Sequence, residues 1–154
     1  MDFMNLFLSP KGRIGQQQFW IGIAVIFVVG LVVGMVLGQT MPLISGLVSI
    51  ALAYPGYCVM AKRFQDMGKS GMLAAIPYGI FVLVNILALL GTMGIMGGGG
   101  DAMTAGGAGA LAGAGIFAII GFVIWLVFVI WAGVSKGDPA PNAYGPPPGG
   151  AATA

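Results

Sequence analysis

Lys62, Arg63, Asp66 and Lys69 fall within one stretch, Ala61–Met72 (A-K-R-F-Q-D-M-G-K-S-G-M), in a chain with only six basic and four acidic residues. Two kinds of chemistry suit such a stretch. One is anion capture. Ser70 is a good N-cap for the apolar run that begins at Met72, leaving the amides of Gly71, Met72 and Leu73 near an anion. Lys62, Arg63 and Lys69 add positive charge beside them, each contributing roughly 1 kcal/mol near an anionic surface. The other is acid–base work. The chain has no histidine, which removes the commonest general base and leaves Asp66 as the one carboxylate in reach. A plainer alternative stands beside both: Arg63 and Asp66, three apart, pair on a helical extension, and the basic residues only fix topology.

Other motifs carry less. Gly68-Lys69-Ser70 resembles the end of a P-loop, but Arg63 stands where that motif needs its first glycine, and no strand precedes it. Met93, Met96 and Met103 offer thioethers that suit Cu(I). The chain has ten methionines, however, and no cysteine or histidine near these three. The single cysteine, Cys58, lies in an apolar run, which rules out an internal disulfide and suits a buried small side chain. No carboxylate pair, nucleophile–base set or metal-ligand cluster is visible, so no catalytic residue, metal or cofactor is expected.

The elements that must position these residues are membrane helices. The chain is 58% hydrophobic and 6% charged, with mean hydropathy +1.01, whereas soluble domains run at about 25% charged. Lipid is the solvent. A net charge of +2 gives no argument for nucleic acid. Four uncharged runs, 19–38, 41–60, 72–91 and 114–134, each approach the roughly 20 residues that span a bilayer. The expected fold is all-α, a polytopic membrane protein with four transmembrane helices, as one domain over 1–148 with a flexible tail over 149–154. Pro42 suits a first helical turn, and Pro55 should kink the second span. Residues 92–113, rich in glycine, read as a flexible outer loop. Before the first span, Phe3, Met4, Leu6, Phe7 and Leu8 precede Lys11 and Arg13 and suit an interfacial segment.

Packing residues follow from spacing. Gly30, Gly34 and Gly38 share one face of the first span, where another backbone can approach. Ser45 and Ser49 form a small-residue face on the second. Asn85, the deepest strongly polar side chain of the third span, predicts an interhelical hydrogen bond of order 0.6–2 kcal/mol. Lys11 and Arg13, then Lys62, Arg63 and Lys69, then Lys136 all fall on one side of the four spans. By the positive-inside rule that side is the cytoplasm, and both termini lie there. Arg13 and the segment around Tyr144 return to the same side as Ala61–Met72 and could close over it. Asn142–Pro148 is expected to be ordered only if Tyr144 finds a pocket.

Three separated pieces carry a resemblance. Phe7 with Gly12-Arg13-Ile14 and Phe19-Trp20, then Lys62-Arg63-Phe64-Gln65-Asp66 with Gly68-Lys69-Ser70-Gly71, then Asn142 with Tyr144-Gly145-Pro146 and Pro148 resemble domain-of-unknown-function family 805. That family consists of small bacterial inner-membrane proteins without an established activity. Gln16, Gln65 and Met72 depart from its usual arginine, histidine and tryptophan. The resemblance implies an integral membrane protein and no particular reaction.

The expected function is a non-enzymatic accessory, scaffold or lipid-organising subunit of the bacterial inner membrane. Its cytoplasmic rim, Arg13, Lys62, Arg63, Asp66, Lys69, Ser70 and Tyr144, would bind anionic lipid or a partner. Arg63 and Lys69 would hold a lipid phosphate, with Asp66 orienting Arg63. A second copy of the chain or another membrane protein is the expected partner. The alternatives are a small transporter or channel acting as an oligomer, and a membrane enzyme acting on a lipid-linked phosphate.

Overall fold

The computed structural model describes residues 3–97 and 105–149. Apart from one β-bridge between Asn142 and Gly145, every regular element in them is helical. The order is α1 (Phe3–Leu8), α2 (Gln16–Leu37), α3 (Pro42–Asp66), a 3₁₀ turn (Gly71–Ala74), α4 (Ala75–Gly97) and α5 (Ala105–Val134). Four stretches, Gln16–Leu37, Pro42–Asp66, Gly71–Gly94 and Gly115–Val134, are long and apolar enough to cross a membrane.

Two boundaries differ from expectation. α3 does not stop at Met60 but carries Lys62, Arg63 and Asp66 on its final turns, because those charges are paired within the protein. The glycine-rich stretch is not all loop either: α4 runs to Gly97 and α5 begins at Ala105. Each glycine costs a helix about 1 kcal/mol. Near lipid, however, an unbonded backbone group costs several kcal/mol, and helix is the cheaper state.

The helices pack most closely at the end that carries the basic residues. Phe19, Val59, Met60, Phe64 and Ala132 are fully buried there. Phe64 meets Phe128 edge-on and lies 5.2 Å, centroid to centroid, from Trp131. α1 lies across α3 with Leu6 buried, while Phe3, Met4 and Leu8 stay exposed.

The glycines that form seams are not the three singled out by spacing. Gly22 faces Val59, Gly46 faces Leu89, Gly121 faces Ile80, and Gly133 lies against the Trp20 indole. By contrast, no atom lies within 4 Å of where a Cβ would sit on Gly30 or Gly34, and Gly38 ends α2 against the carbonyl of Gly34. A four-residue repeat shows which residues share a face; it does not say what stands opposite. The polar side chains differ in the same way. Asn85 Nδ2 donates to the Phe81 carbonyl at 2.9 Å, and Ser49 Oγ to the Ser45 carbonyl at 2.9 Å. Both bonds lie within one helix rather than between two.

These contacts set an expected contrast. Gly133→Val, which forces a side chain into Trp20, should destabilise the protein by about 1–3 kcal/mol through overpacking. Gly34→Leu should leave the melting temperature in detergent unchanged. Equal shifts would show that the Trp20–Gly133 contact is not a packed seam.

Candidate functional site

The central motif first ends a helix. Beyond Asp66 the chain makes the two bonds of a Schellman motif: Lys69 N–H donates to the Phe64 carbonyl at 2.9 Å and Gly68 N–H to the Gln65 carbonyl at 3.1 Å. The motif needs a left-handed residue, and Gly68 supplies it at φ +68°. Ser70 then opens the 3₁₀ turn, its hydroxyl accepting from Met72 N–H at 3.3 Å while its carbonyl accepts from Leu73 N–H at 3.2 Å. Gly68-Lys69-Ser70 is therefore a helix-to-helix connector, and two of the three amides assigned to an anion are already bonded.

The same region finishes α5. A helix leaves its last four carbonyls without partners, and side chains from distant segments meet them here. Arg63 Nε donates to the Ala132 carbonyl at 2.9 Å, and Arg63 Nη2 donates to that of Ser135. Gln16 Nε2 donates to the carbonyls of Gly133 at 3.1 Å and Ser135 at 3.2 Å, with a longer bond to Val134. The first residue of α2 and the end of α3 thus cap α5.

Asp66 sits between two guanidinium groups. Its Oδ1 accepts from Arg13 Nε at 3.0 Å, and its Oδ2 pairs with Arg63 Nη1. The side chains of Arg13, Arg63 and Asp66 are 1%, 1% and 4% exposed, so water does not neutralise the extra positive charge. Helix ends do. α3 and α5 both point their C-termini into the cluster, each equivalent to roughly −0.5 of a charge. Together with Asp66 they balance two arginines.

Arg13 also gathers the C-terminal segment. Its Nη1 donates to the carbonyls of Ala140 at 2.9 Å and Gly145 at 3.0 Å, and its Nη2 to that of Asp138. Asn142 Nδ2 reaches the Gln65 carbonyl at 3.0 Å and Asp138 Oδ2 at 2.9 Å. On the other flank, Gln65 clasps the N-terminal loop, donating to the Pro10 carbonyl at 2.9 Å and accepting from Gly12 N–H at 3.0 Å. Lys62 Nζ donates to Asn5 Oδ1 at 2.8 Å and to the Asn5 carbonyl.

A family model described as a protein of unknown function, DUF805, matches residues 7–146. The chain belongs to this family. No curated protein and no solved structure matches it. The matched range of this DUF805 protein begins and ends with the segments that Arg13, Gln65 and Asp66 tie together. Its three separated motifs are one interlocked cluster.

The cluster corrects the lipid-phosphate site. Lys62, Arg63 and Asp66 are 2%, 1% and 3% exposed, and the bonds of Arg63 run to carbonyls and Asp66. A sequence puts these residues at a membrane boundary, but it does not show that the two terminal segments cover them. Lys69 and Ser70 do remain exposed, with Lys69 Nζ 5.5 Å from the centre of the Trp131 ring. Tyr144 is also exposed, so no pocket holds its ring. The tail is ordered by Asn142 and Arg13 instead, with Asn142 Oδ1 accepting from Tyr144 N–H at 2.9 Å. Asn5, Gln16, Gln65 and Asn142 escaped the candidate set because uncharged amides give no electrostatic signal; only their places in the family pattern marked the last three. Among the described residues, no group of acidic, cysteine or histidine side chains could hold a metal. Met93 is exposed on α4, while the side chain of Met96 and residue 103 lie outside the described residues.

Proposed function

We propose that this DUF805 protein is a non-enzymatic accessory or scaffold subunit of a membrane assembly, with its basic end in the cytoplasm of a bacterial inner membrane. One observation carries the reading. The polar groups of the motif cluster are spent on joining helix ends and termini, and among the described residues no buried side-chain nitrogen or oxygen lacks a partner. A general base needs a free lone pair within reach of substrate. Asp66, the one carboxylate offered for that role, is held by two arginines away from solvent. Polar groups held in fixed contacts of this kind suit a platform. What the platform leaves exposed at that end is Lys11, Lys69, Lys136 and Tyr144, a basic rim suited to anionic headgroups or an acidic partner.

Two measurements test this. Crosslinking in native membranes should capture the chain with a second copy or another membrane protein at near-stoichiometric yield; a chain that stays monomeric at every crosslinker dose would overturn the subunit role. Reporter fusions after Lys136 should read out as cytoplasmic and fusions at Gly99 as external. A cytoplasmic Gly99 would overturn the orientation.

A further inference from the structure

A polar pocket of about 240 Å³ lies against the N-terminal loop, beside the interlocked cluster. Its walls come from α1, from residues 11–14, from Gln18 on α2 and from Lys62 on α3. Every charged residue in that lining is basic: Lys11, Arg13 and Lys62. The two carboxylates among the described residues are engaged elsewhere, Asp66 with two arginines and Asp138 with Asn142.

The lining also holds donors that the protein itself does not use. Gln18 spends its side-chain oxygen, which accepts from Gly15 N–H at 3.3 Å. Among the described residues, neither Gln18 Nε2 nor Lys11 Nζ has a hydrogen-bond partner, and the backbone N–H groups of Arg13 and Ile14 have none either. The Arg13 side chain is 1% exposed and turned to Asp66, yet the residue as a whole is half-buried. What Arg13 shows outside is therefore its main chain. Ile14 is 5% exposed, and a buried N–H without a partner is rare.

From this set we infer that the pocket binds a phosphate group, carried by a lipid headgroup or by a soluble phosphoester. The inference goes beyond the subunit role and does not rest on it. The place also differs from the one expected at Arg63 and Lys69. Here Lys62 adds charge from α3 while keeping its own bonds to Asn5. The sign of the lining selects an anion. Its donors select among anions, because they come from a lysine tip, a loop and a helix. A phosphate offers three or more accepting oxygens to such a set, where a carboxylate offers two. The first turn of α2 strengthens the same field: no side chain caps its N–H groups, and Gln18 lies within a turn of its positive end. Room is sufficient. At about 30 Å³ per water, the 240 Å³ pocket holds a phosphate with part of its hydration. A lipid carrier is within reach, since α1 keeps Phe3, Met4 and Leu8 exposed, a surface suited to the headgroup boundary.

The test uses the full chain, stripped of lipid in a maltoside detergent. Inorganic phosphate, glycerol phosphate and short-chain phosphatidic acid serve as probes at constant ionic strength. A saturable rise in melting temperature reports binding. Lys11→Gln should raise Kd about fivefold, the factor carried by one basic residue near an anionic surface. Lys136→Gln, an equal change of charge outside the pocket, should leave Kd unchanged. Gln18→Glu separates binding from folding. It keeps an oxygen for Gly15 N–H, and a carboxylate suits the first turn of a helix, so the melting temperature without probe should not fall. The new charge repels phosphate, and affinity should drop at least about tenfold. Tighter binding of phosphatidic acid than of glycerol phosphate gives the phosphate a lipid carrier, and the reverse order a soluble one; either upholds the site. No saturable rise with any of the three probes would overturn it, as would equal losses in Lys11→Gln and Lys136→Gln.

Discussion

Asp66→Asn should destabilise this protein by roughly 3–5 kcal/mol, the cost of removing one partner from a buried ion pair. The substitution keeps the shape of the side chain and deletes its charge. Arg13 and Arg63, each 1% exposed, would then face one another with only the ends of α3 and α5 to offset them. The two helix termini supply about one negative charge between them, against two positive. The excess either draws water into the cluster or drives one arginine out: loss of Arg63 removes its caps on α5, and loss of Arg13 releases the C-terminal segment. Lys69→Gln, at an exposed position on the same stretch, should leave the melting temperature in detergent unchanged. A platform predicts this wide separation, whereas a lipid-phosphate rim predicts a larger effect on lipid retention at Lys69 than on stability at Asp66. Adding Arg13→Met to Asp66→Asn should recover part of the loss, because the pair is coupled and the surplus charge leaves with it. Equal melting shifts for Asp66→Asn and Lys69→Gln would show that the triad is not a buried structural unit.

How much of this was legible in the sequence depended on which physical signal carried it. The four spans follow from composition, since runs without charge have one stable solvent. The gathering of Arg13, Ala61–Met72 and the Asn142–Gly145 segment at one end also follows, because four crossings return those segments to the same side. Burial did not follow. Lys62 and Arg63 look like surface residues until the tail and the N-terminal loop are laid over them, and that covering depends on hydrogen bonds to backbone carbonyls, which every residue carries and no composition reveals. The glycine pattern failed for a related reason. Gly30 and Gly34 have the spacing of a helix seam, yet the helix opposite is held at Gly133 and diverges from there. Gly133 and Gly22, which carry no such repeat, are where the close contacts occur.

Arg13→Gln should release the C-terminal segment while leaving the four-helix body folded. Asp66 keeps Arg63 in this variant, and Gln16 still caps α5, so the buried core around Phe64 loses no partner. The tail loses most of what holds it: donors to the carbonyls of Asp138, Ala140 and Gly145 all come from one guanidinium. Hydrogen bonds from a charged donor contribute about 1.5–3 kcal/mol each, and glutamine can replace one at best. A net loss of about 3–6 kcal/mol would raise local opening by about 150-fold or more, visible as faster amide exchange at Asp138, Asn142 and Gly145 and as protease nicking beyond Gly137. Exchange at amides within α2 and α3 should not change. Asn142→Ala serves as the comparison. It removes two bonds donated by its amide, to the Gln65 carbonyl and Asp138 Oδ2, and the turn in which its Oδ1 accepts from Tyr144 N–H; only one of the three involves a charged group, so its effect should be the smaller of the two. If exchange in the tail rises more for Asn142→Ala than for Arg13→Gln, the tail is pinned by its own turn, and Arg13 serves chiefly to neutralise Asp66.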